Sequence, residues 1–127
     1  MDVSYILDEL NTEKIYALLI HDVYSLQGIN GMQVWQAIQD LKHAGLIENV
    51  GASIYSPKDL EPFGHDMIAD IIQAPFNIFD QRILKSGWLD VLHNRGTKIH
   101  ARSVFLQGVL LQDFNKLHSY FYTWKDY

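Results

Sequence analysis

Four polar positions follow or end short apolar segments of this sequence, and their side chains could together bind a polar ligand. They are His21, Ser53, Gln73 and the pair Arg102-Ser103. An imidazole, a hydroxyl, an amide and a guanidinium can each form hydrogen bonds. Taken singly, each has an ordinary structural role, since His21 could cap its strand and Arg102 could pair with Asp22 or Asp80. Their recurrence at four strand ends favours a functional site.

Several common catalytic and binding motifs are absent from the 127 residues. The sequence has no cysteine, which excludes disulfides, thiolate metal sites and cysteine nucleophiles. Its six histidines show no HExxH or other close metal-ligand spacing. Neither a GxSxG elbow nor a glycine-rich phosphate loop occurs. The sequence therefore predicts no metal site and no standard phosphate cradle.

Charge and hydropathy limit the partners that we expect. Ten basic and fifteen acidic side chains give a formal net charge of −5, which argues against binding to nucleic acid or an anionic membrane. The continuous apolar run that includes Ala17 to Ile20 is too short to span a bilayer. The start of the sequence lacks the basic region of a secretory signal. We expect a soluble cytoplasmic protein with one domain over residues 1–127.

The polar positions need a scaffold, and the apolar pattern predicts one in which helices and strands alternate. Short continuous apolar runs are typical of buried parallel strands, and i, i+3, i+4, i+7 spacing is typical of helices. The predicted strands are 16–20, 49–54, 70–73 and 97–102, and the predicted helices are 3–10, 32–41, 56–61, 84–92 and 114–124. Phe114, Phe121 and Trp124 share a face of the last helix, either as core or as an oligomer contact.

This alternation predicts parallel strands joined by right-handed crossovers. Two architectures remain open at this point, an open doubly wound sheet and part of a (β/α) barrel. In both, ligands bind where the strands finish, because the loops there vary while the scaffold stays fixed. The four polar positions would thus lie on one rim.

Four blocks of the sequence resemble consecutive blocks of the aldo/keto reductases. They are YALLIHD (16–22), GLIENVGASIYSPKDLE (45–61), DIIQAPFNIFDQR (70–82) and KIHARSVFLQGVLL (98–111). They occur in the family's order and cover nearly the whole chain. The resemblance implies a partial (β/α)₈ TIM barrel, a half-barrel of about four parallel strands with crossover helices. It also implies an oxidoreductase that uses NADPH to reduce a small-molecule carbonyl.

The resemblance assigns roles to individual residues. His21 matches the family's catalytic histidine at the end of the fourth barrel strand, which helps to polarise the substrate carbonyl. Ser53 and Gln73 match the residues that hold the nicotinamide carboxamide. Ser103 and Gly108 match the segment that follows the cofactor diphosphate.

Three positions depart from the family's pattern. Ile54 replaces an asparagine, so one hydrogen bond to the carboxamide is missing. Arg102 replaces the aromatic residue that commonly stacks on the nicotinamide, and its planar guanidinium could stack there or approach a phosphate. Val104 stands where proline is usual.

The resemblance also implies that part of the family's active site has no match in this chain. The tyrosine proton donor, the aspartate and the lysine would lie on earlier strands, and Tyr5 and Lys14 are not their equivalents. We therefore expect the isolated chain to be inactive or nearly so. One alternative is a non-catalytic half-barrel module that dimerises or binds a complementing half-barrel through its exposed sheet edges. Another is a flavodoxin-like sheet that binds a phosphorylated ligand.

Overall fold

A computed structural model of the chain describes residues 3–63 and 67–124. Four strands form one parallel sheet, in which each strand pairs with the next strand along the chain. The strands are β1 (Ile15–Ile20), β2 (Ile47–Ser53), β3 (Ile71–Pro75) and β4 (Lys98–Arg102). The predicted partial barrel is confirmed by this sequential order. A doubly wound sheet, by contrast, reverses its strand order at a switch point, so both open-sheet alternatives are wrong.

Helical segments precede and connect the strands. The α-helices are α1 (Val3–Glu9), α2 (Gly31–His43), α3 (Arg82–Lys85) and α4 (Trp88–Asn94). Two 3₁₀ helices, Val23–Gln27 and Pro57–Phe63, follow β1 and β2. Within the described residues, no helix combines the length and the apolar character needed to cross a membrane.

One face of the sheet carries the hydrophobic core. Alternate strand residues belong to this cluster, together with side chains of the connecting helices. The strand residues in the cluster include Val50, Ala52, Ile72 and Ala74, Ile54 follows β2 directly, and the partly buried Leu18, Ile20 and Ile99 pack against the cluster. Trp35 of α2 packs edge-on against Phe63, with ring centroids 5.7 Å apart, and Leu92 of α4 is also buried. Residues that alternate with these, including Ser53 and Gln73, therefore lie on the opposite face of the sheet.

Gly51 allows β2 and β3 to pair closely. It pairs in register with Ile71, and a Cβ atom built on Gly51 would lie 1.8 Å from the Ile71 carbonyl oxygen. Any side chain at this position would push the two strands apart. Glycine is therefore required here by the approach of the neighbouring backbone.

The structure corrects the sequence predictions in two helical regions. The single helix expected over 84–92 is two short helices, because Gly87 adopts a positive φ of 77° between them. The single helix expected over 114–124 is wrong: the chain forms 3₁₀ turns at Phe114–Lys116 and Ser119–Trp124. Phe121 lines a cavity of about 410 Å³ together with Leu106 and Leu117, and the side chains of Phe114 and Trp124 lie outside the described part of the chain. The short helix expected over 56–61 is the 3₁₀ helix that follows β2.

Candidate functional site

The predicted polar residues lie along the ends of the four strands. His21 directly follows β1, Ser53 ends β2, and Arg102 ends β4. Gln73 lies two residues before the end of β3, yet it pairs in register with Ser53. The parallel register therefore brings the side chains of these residues to the end of the sheet where the strands finish, which we call the mouth.

Ser53 and Gln73 form a polar pair at the centre of the mouth. The Ser53 hydroxyl donates to the Gln73 side-chain oxygen at 3.2 Å. Both side chains are half-buried. Gln73 also pairs in register with His100 of β4, which is exposed and lies on the same face. Sequence analysis did not single out His100, because its role depends on strand register, which the chain order alone does not give.

His21 lies beside a tyrosine that sequence analysis did not select. The Tyr55 hydroxyl is 3.4 Å from His21 Nε2, and the two rings meet edge-on with centroids 5.9 Å apart. His21 itself is exposed. The Asp22 side chain accepts a hydrogen bond from the Tyr24 backbone N–H and so caps the 3₁₀ helix that follows the histidine.

Arg102 binds across the mouth and does not form the ion pair with Asp22 or Asp80 that was its ordinary structural alternative. Its Nη2 donates to the Ile54 carbonyl oxygen at 2.8 Å. Its guanidinium carbon lies 4.4 Å from the centroid of the Tyr55 ring, which is a cation–π contact. Its Nε is buried and has no hydrogen-bond partner within residues 3–63 and 67–124. Asp80, one of the two alternative partners named for Arg102, forms an ion pair with Arg82 at 2.7 Å.

A buried carboxylate joins the loops that follow β1 and β2. Asp59 accepts hydrogen bonds from the backbone N–H groups of Tyr55 (2.7 Å) and Ser56 (3.0 Å) and from the Tyr24 hydroxyl (3.0 Å). Burial alone would raise the pKa of Asp59, but these donors and the positive charge of Arg82 hold it below its ordinary value. The hydrogen bond to Asp59 raises the pKa of the Tyr24 hydroxyl. Asp59 thereby fixes the backbone on which Tyr55 stands.

The buried amide of Asn77 joins two loops on the other side of the mouth. Asn77 donates through its side-chain nitrogen to the Ser103 carbonyl oxygen at 3.1 Å. Its side-chain oxygen accepts from the backbone N–H groups of Phe79 and Asp80, both at 2.9 Å. The loops after β3 and β4 are thus held together. Hydrogen bonds from Arg82 lower the pKa of Asp80 within this cluster.

Ser103 and Gly108 lie in a tightly turned segment after β4. Positive φ values occur at Ser103 (56°), Leu106 (45°), Gln107 (55°) and Gly108 (91°). Three of these residues carry a Cβ atom, so this backbone is strained. The structure places both residues beyond the strand end rather than against the pair formed by Ser53 and Gln73.

The arrangement could bind a polar planar group and polarise an oxygen beside it. The mouth presents a hydroxyl, an amide, an imidazole and a guanidinium within adjacent strands and loops. Across residues 3–63 and 67–124, histidine and acidic side chains form no group of three that could hold a metal ion.

A comparison with protein families decides the identity of this scaffold. The model of the aldo/keto reductase family matches residues 1–125. The chain belongs to the aldo/keto reductase family. The resemblance of the four sequence blocks to this family is therefore confirmed. A search of curated proteins finds no match.

Solved structures of aldo/keto reductases share the fold. An aldo-keto reductase from Bacillus halodurans, in its holo form, matches with a TM-score of 0.72 and 20% identity, over 90% of this chain and 38% of that one. A glycerol dehydrogenase from Gluconobacter oxydans matches with a TM-score of 0.68 and 24% identity, over 92% and 34%. A mutant of the protein Gox0644, in complex with NADPH, matches with a TM-score of 0.65 and 20% identity, over 87% and 40%. The chain thus spans well under half the length of these aldo/keto reductase structures.

Proposed function

We propose that this chain is the part of an NADPH-dependent aldo/keto reductase that carries the active-site histidine and the nicotinamide pocket. The whole enzyme would reduce a small-molecule carbonyl by hydride transfer. This proposal depends on one observation. His21, Ser53, Gln73 and Arg102 all lie at the mouth of a parallel sheet like that of the aldo/keto reductases. The cytoplasmic location of the protein stays a prediction from the sequence.

The residues at the mouth fit a nicotinamide cofactor. An amide group offers one acceptor and two donors, and Ser53 and Gln73 can satisfy both kinds. Their mutual hydrogen bond at 3.2 Å supports this role, because it keeps both side chains within reach of one small group. A reduced nicotinamide, when bound, supplies the hydride.

His21 is proposed as the residue that orients and polarises the substrate carbonyl. Its imidazole is exposed at the mouth, so a substrate oxygen can reach it. An imidazole N–H that donates to that oxygen stabilises the negative charge that develops during reduction. Ser103 and Gly108 are proposed to lie alongside the cofactor diphosphate, because they belong to the tight turn just beyond β4.

We propose that the 127 residues alone reduce carbonyls slowly or not at all. Tyr5 lies on α1, and Lys14 precedes β1 at the opposite end of the sheet, where it pairs with Glu48. Neither residue can protonate a substrate oxygen at the mouth. Loss of a general acid typically costs 10²–10⁴-fold in rate.

A non-catalytic half-barrel module is the second candidate function. In the described part of the chain, β1 and β4 each pair on one side only. Unpaired strand edges present backbone donors and acceptors that another chain can bind. A second copy or a complementing half-barrel could therefore complete the sheet.

Size-exclusion chromatography combined with an NADPH fluorescence titration tests both candidates. Weak, saturable binding that is lost in Ser53→Ala and Gln73→Ala supports the nicotinamide pocket. A folded dimer in which no nucleotide binds supports the module. Ser86→Ala is the matched control, since Ser86 lies at the end of α3 and not at the mouth.

The inactivity of the chain is tested by carbonyl-dependent oxidation of NADPH. Rapid turnover by the 127 residues would overturn that part of the proposal. In that case His21→Ala should abolish the activity, whereas His43→Ala, at the exposed end of α2, should leave it intact. An unchanged rate in His21→Ala would remove this histidine from the mechanism.

A further inference from the structure

The outer strand β4 carries basic side chains on the face of the sheet opposite the hydrophobic core, which we call the inner face. Lys98 pairs in register with Ile71, and His100 pairs with Gln73. Residues paired in register point to the same side of a sheet, so both basic residues share the inner face with Gln73. Both are also exposed. Any segment that completes the sheet beside β4 must therefore accommodate two basic groups.

The other strands offer these groups no acidic partner on the inner face. The strand register continues each basic residue into a row that crosses the sheet. These rows are Lys98, Ile71, Gly51 and Leu19 for the first, and His100, Gln73 and Ser53 for the second. The other members of both rows are uncharged. Within residues 3–63 and 67–124, neither Lys98 nor His100 belongs to an ion pair.

The charged contact that Lys98 does make is with an aromatic ring. Its ammonium nitrogen lies 5.7 Å from the centroid of the Tyr16 ring, although β4 and β1 are the two outer strands of the sheet. A cation–π contact at an exposed site such as this is weak compared with a carboxylate partner. Lys98 therefore reaches across the sheet without finding a full counter-charge.

A second copy of this chain would meet the basic groups with an apolar strand. In a barrel of eight strands and shear 8, the register shifts by about four residues over each set of four strands. The row of Lys98 ends at Leu19, and the shift that keeps this row within β1 brings Ile15 of the second copy beside Lys98. The same shift brings Ala17 beside His100. All six residues of β1 are uncharged.

Self-pairing would enclose the basic groups against aliphatic side chains. The interior of an eight-stranded barrel is filled by side chains and holds little water. A cation that loses its water and gains no counter-charge destabilises the assembly. In the described part of the chain, β4 pairs on one side only, so its backbone could accept another strand. The side chains of Lys98 and His100 decide which strand that is.

We propose that the sheet is completed beside β4 by a polypeptide segment other than a second copy of this chain, with acidic side chains on the inner face level with Lys98 and His100. Carboxylates at these levels would accept hydrogen bonds from the ammonium and the imidazole and neutralise their charge. This inference rests on the second candidate function, in which another chain completes the sheet. It adds the chemistry that selects the partner.

An acid placed on β1 tests this charge rule, with the chain itself as the probe. Ala17→Glu supplies a carboxylate where a second copy would meet His100 and Lys98, and Ala17→Gln is the matched neutral control. Sedimentation equilibrium should find the wild type and Ala17→Gln monomeric at concentrations where Ala17→Glu forms a dimer. The dimer of Ala17→Glu should be at least about tenfold tighter than any dimer of Ala17→Gln.

Removal of the basic groups provides the reverse test. In the Ala17→Glu chain, Lys98→Met and His100→Leu together should abolish the tenfold gain, whereas Lys85→Met, on α3, should retain it. With Ala17 unchanged, the same two substitutions on β4 remove the enclosed charges and should strengthen self-association over the wild type. This second comparison holds even if Ala17→Glu fails to fold, which urea unfolding of each variant would reveal.

The outcomes separate this inference from the candidate function on which it rests. A wild-type dimer as tight as that of Ala17→Glu would mean that a second copy completes the sheet, so the candidate stands and the inference is wrong. Equal association of folded Ala17→Glu and Ala17→Gln also overturns the inference. If no variant associates at millimolar concentration, both the completion of the sheet and the acidic partner fail. The NADPH titration of the first proposal is independent of all these results.

Discussion

The helix-covered face of the sheet and the loops at the mouth are held by different kinds of interaction. The helix-covered face of the sheet is almost wholly apolar, with Ile72 and Ala52 fully buried in the cluster. The loops at the mouth are held by buried polar groups instead, chiefly Asp59 and Asn77. Apolar packing tolerates conservative exchanges of similar volume, whereas a buried polar group needs specific partners. The scaffold should therefore accept substitutions that the mouth does not.

The largest effect should come from a cavity on the covered face. Ile72→Ala removes a fully buried side chain from a central strand and should lower the free energy of unfolding by about 3 kcal/mol. Ser53→Ala, one strand away on the other face, should change it by less than about 1 kcal/mol. Urea unfolding measures both. Equal losses in the two variants would show that the faces do not differ as described.

The next effect should come from the buried carboxylate of the mouth. Asp59→Asn replaces a charged acceptor of three hydrogen bonds with an amide and should cost about 2 kcal/mol. Glu61→Gln, on an exposed neighbour of the same 3₁₀ helix, is the control and should cost almost nothing. If both variants unfold at the same urea concentration, Asp59 does not hold the loops.

Acid should weaken the mouth before it weakens the core. The folded pKa of Asp59 lies below its ordinary value of 3.8, so its stabilising contribution is present above that pH and is lost as the pH falls through the lower folded pKa. Asp80 acts in the same direction. Wild type should therefore lose stability below about pH 4 more steeply than Asp59→Asn. Ile72→Ala should keep the wild-type slope, and a wild-type slope in Asp59→Asn would contradict the assignment.

The smallest effect should come from the far end of the sheet. Lys14 pairs with Glu48, and both side chains are about half exposed. Exposed ion pairs contribute little, so Lys14→Ala should change the free energy of unfolding by less than about 0.5 kcal/mol. The loss should shrink further in high salt, which thermal unfolding can follow. A loss as large as that of Asp59→Asn would mean that polar contacts at both ends matter equally.

The scaffold was predictable from sequence because it depends on local apolar patterns. Uniform runs such as 16–20 identify strands, although β1 is an outer strand and only partly buried. Gly87 shows why one predicted helix failed, since its positive φ divides the segment. The placement of His21 and Ser53 at strand ends was predictable because each lies at or next to the end of a segment that reads as a strand. Tyr55 and His100 were not predictable, because Tyr55 contacts His21, 34 residues earlier, and His100 is aligned with Gln73 only by strand register.

The same limit applies to the polar groups that hold the loops. Asp59 lies in a segment read as a short helix, where an acidic residue in the first turn is ordinary. Nothing in its local sequence indicates that it also binds the Tyr24 hydroxyl, 35 residues earlier. Partners this distant in the chain become visible only once the strands are placed side by side.

Gly51 has a practical consequence for anyone who wishes to alter the ligand range of this protein. The backbone of β3 already fills the volume where a methyl group would stand. Diversity libraries should therefore leave position 51 untouched and vary the residues beyond the strand tips, where new side chains meet solvent rather than a carbonyl. The strand pairing below the mouth leaves no room for change, whereas the loops above it can be redesigned.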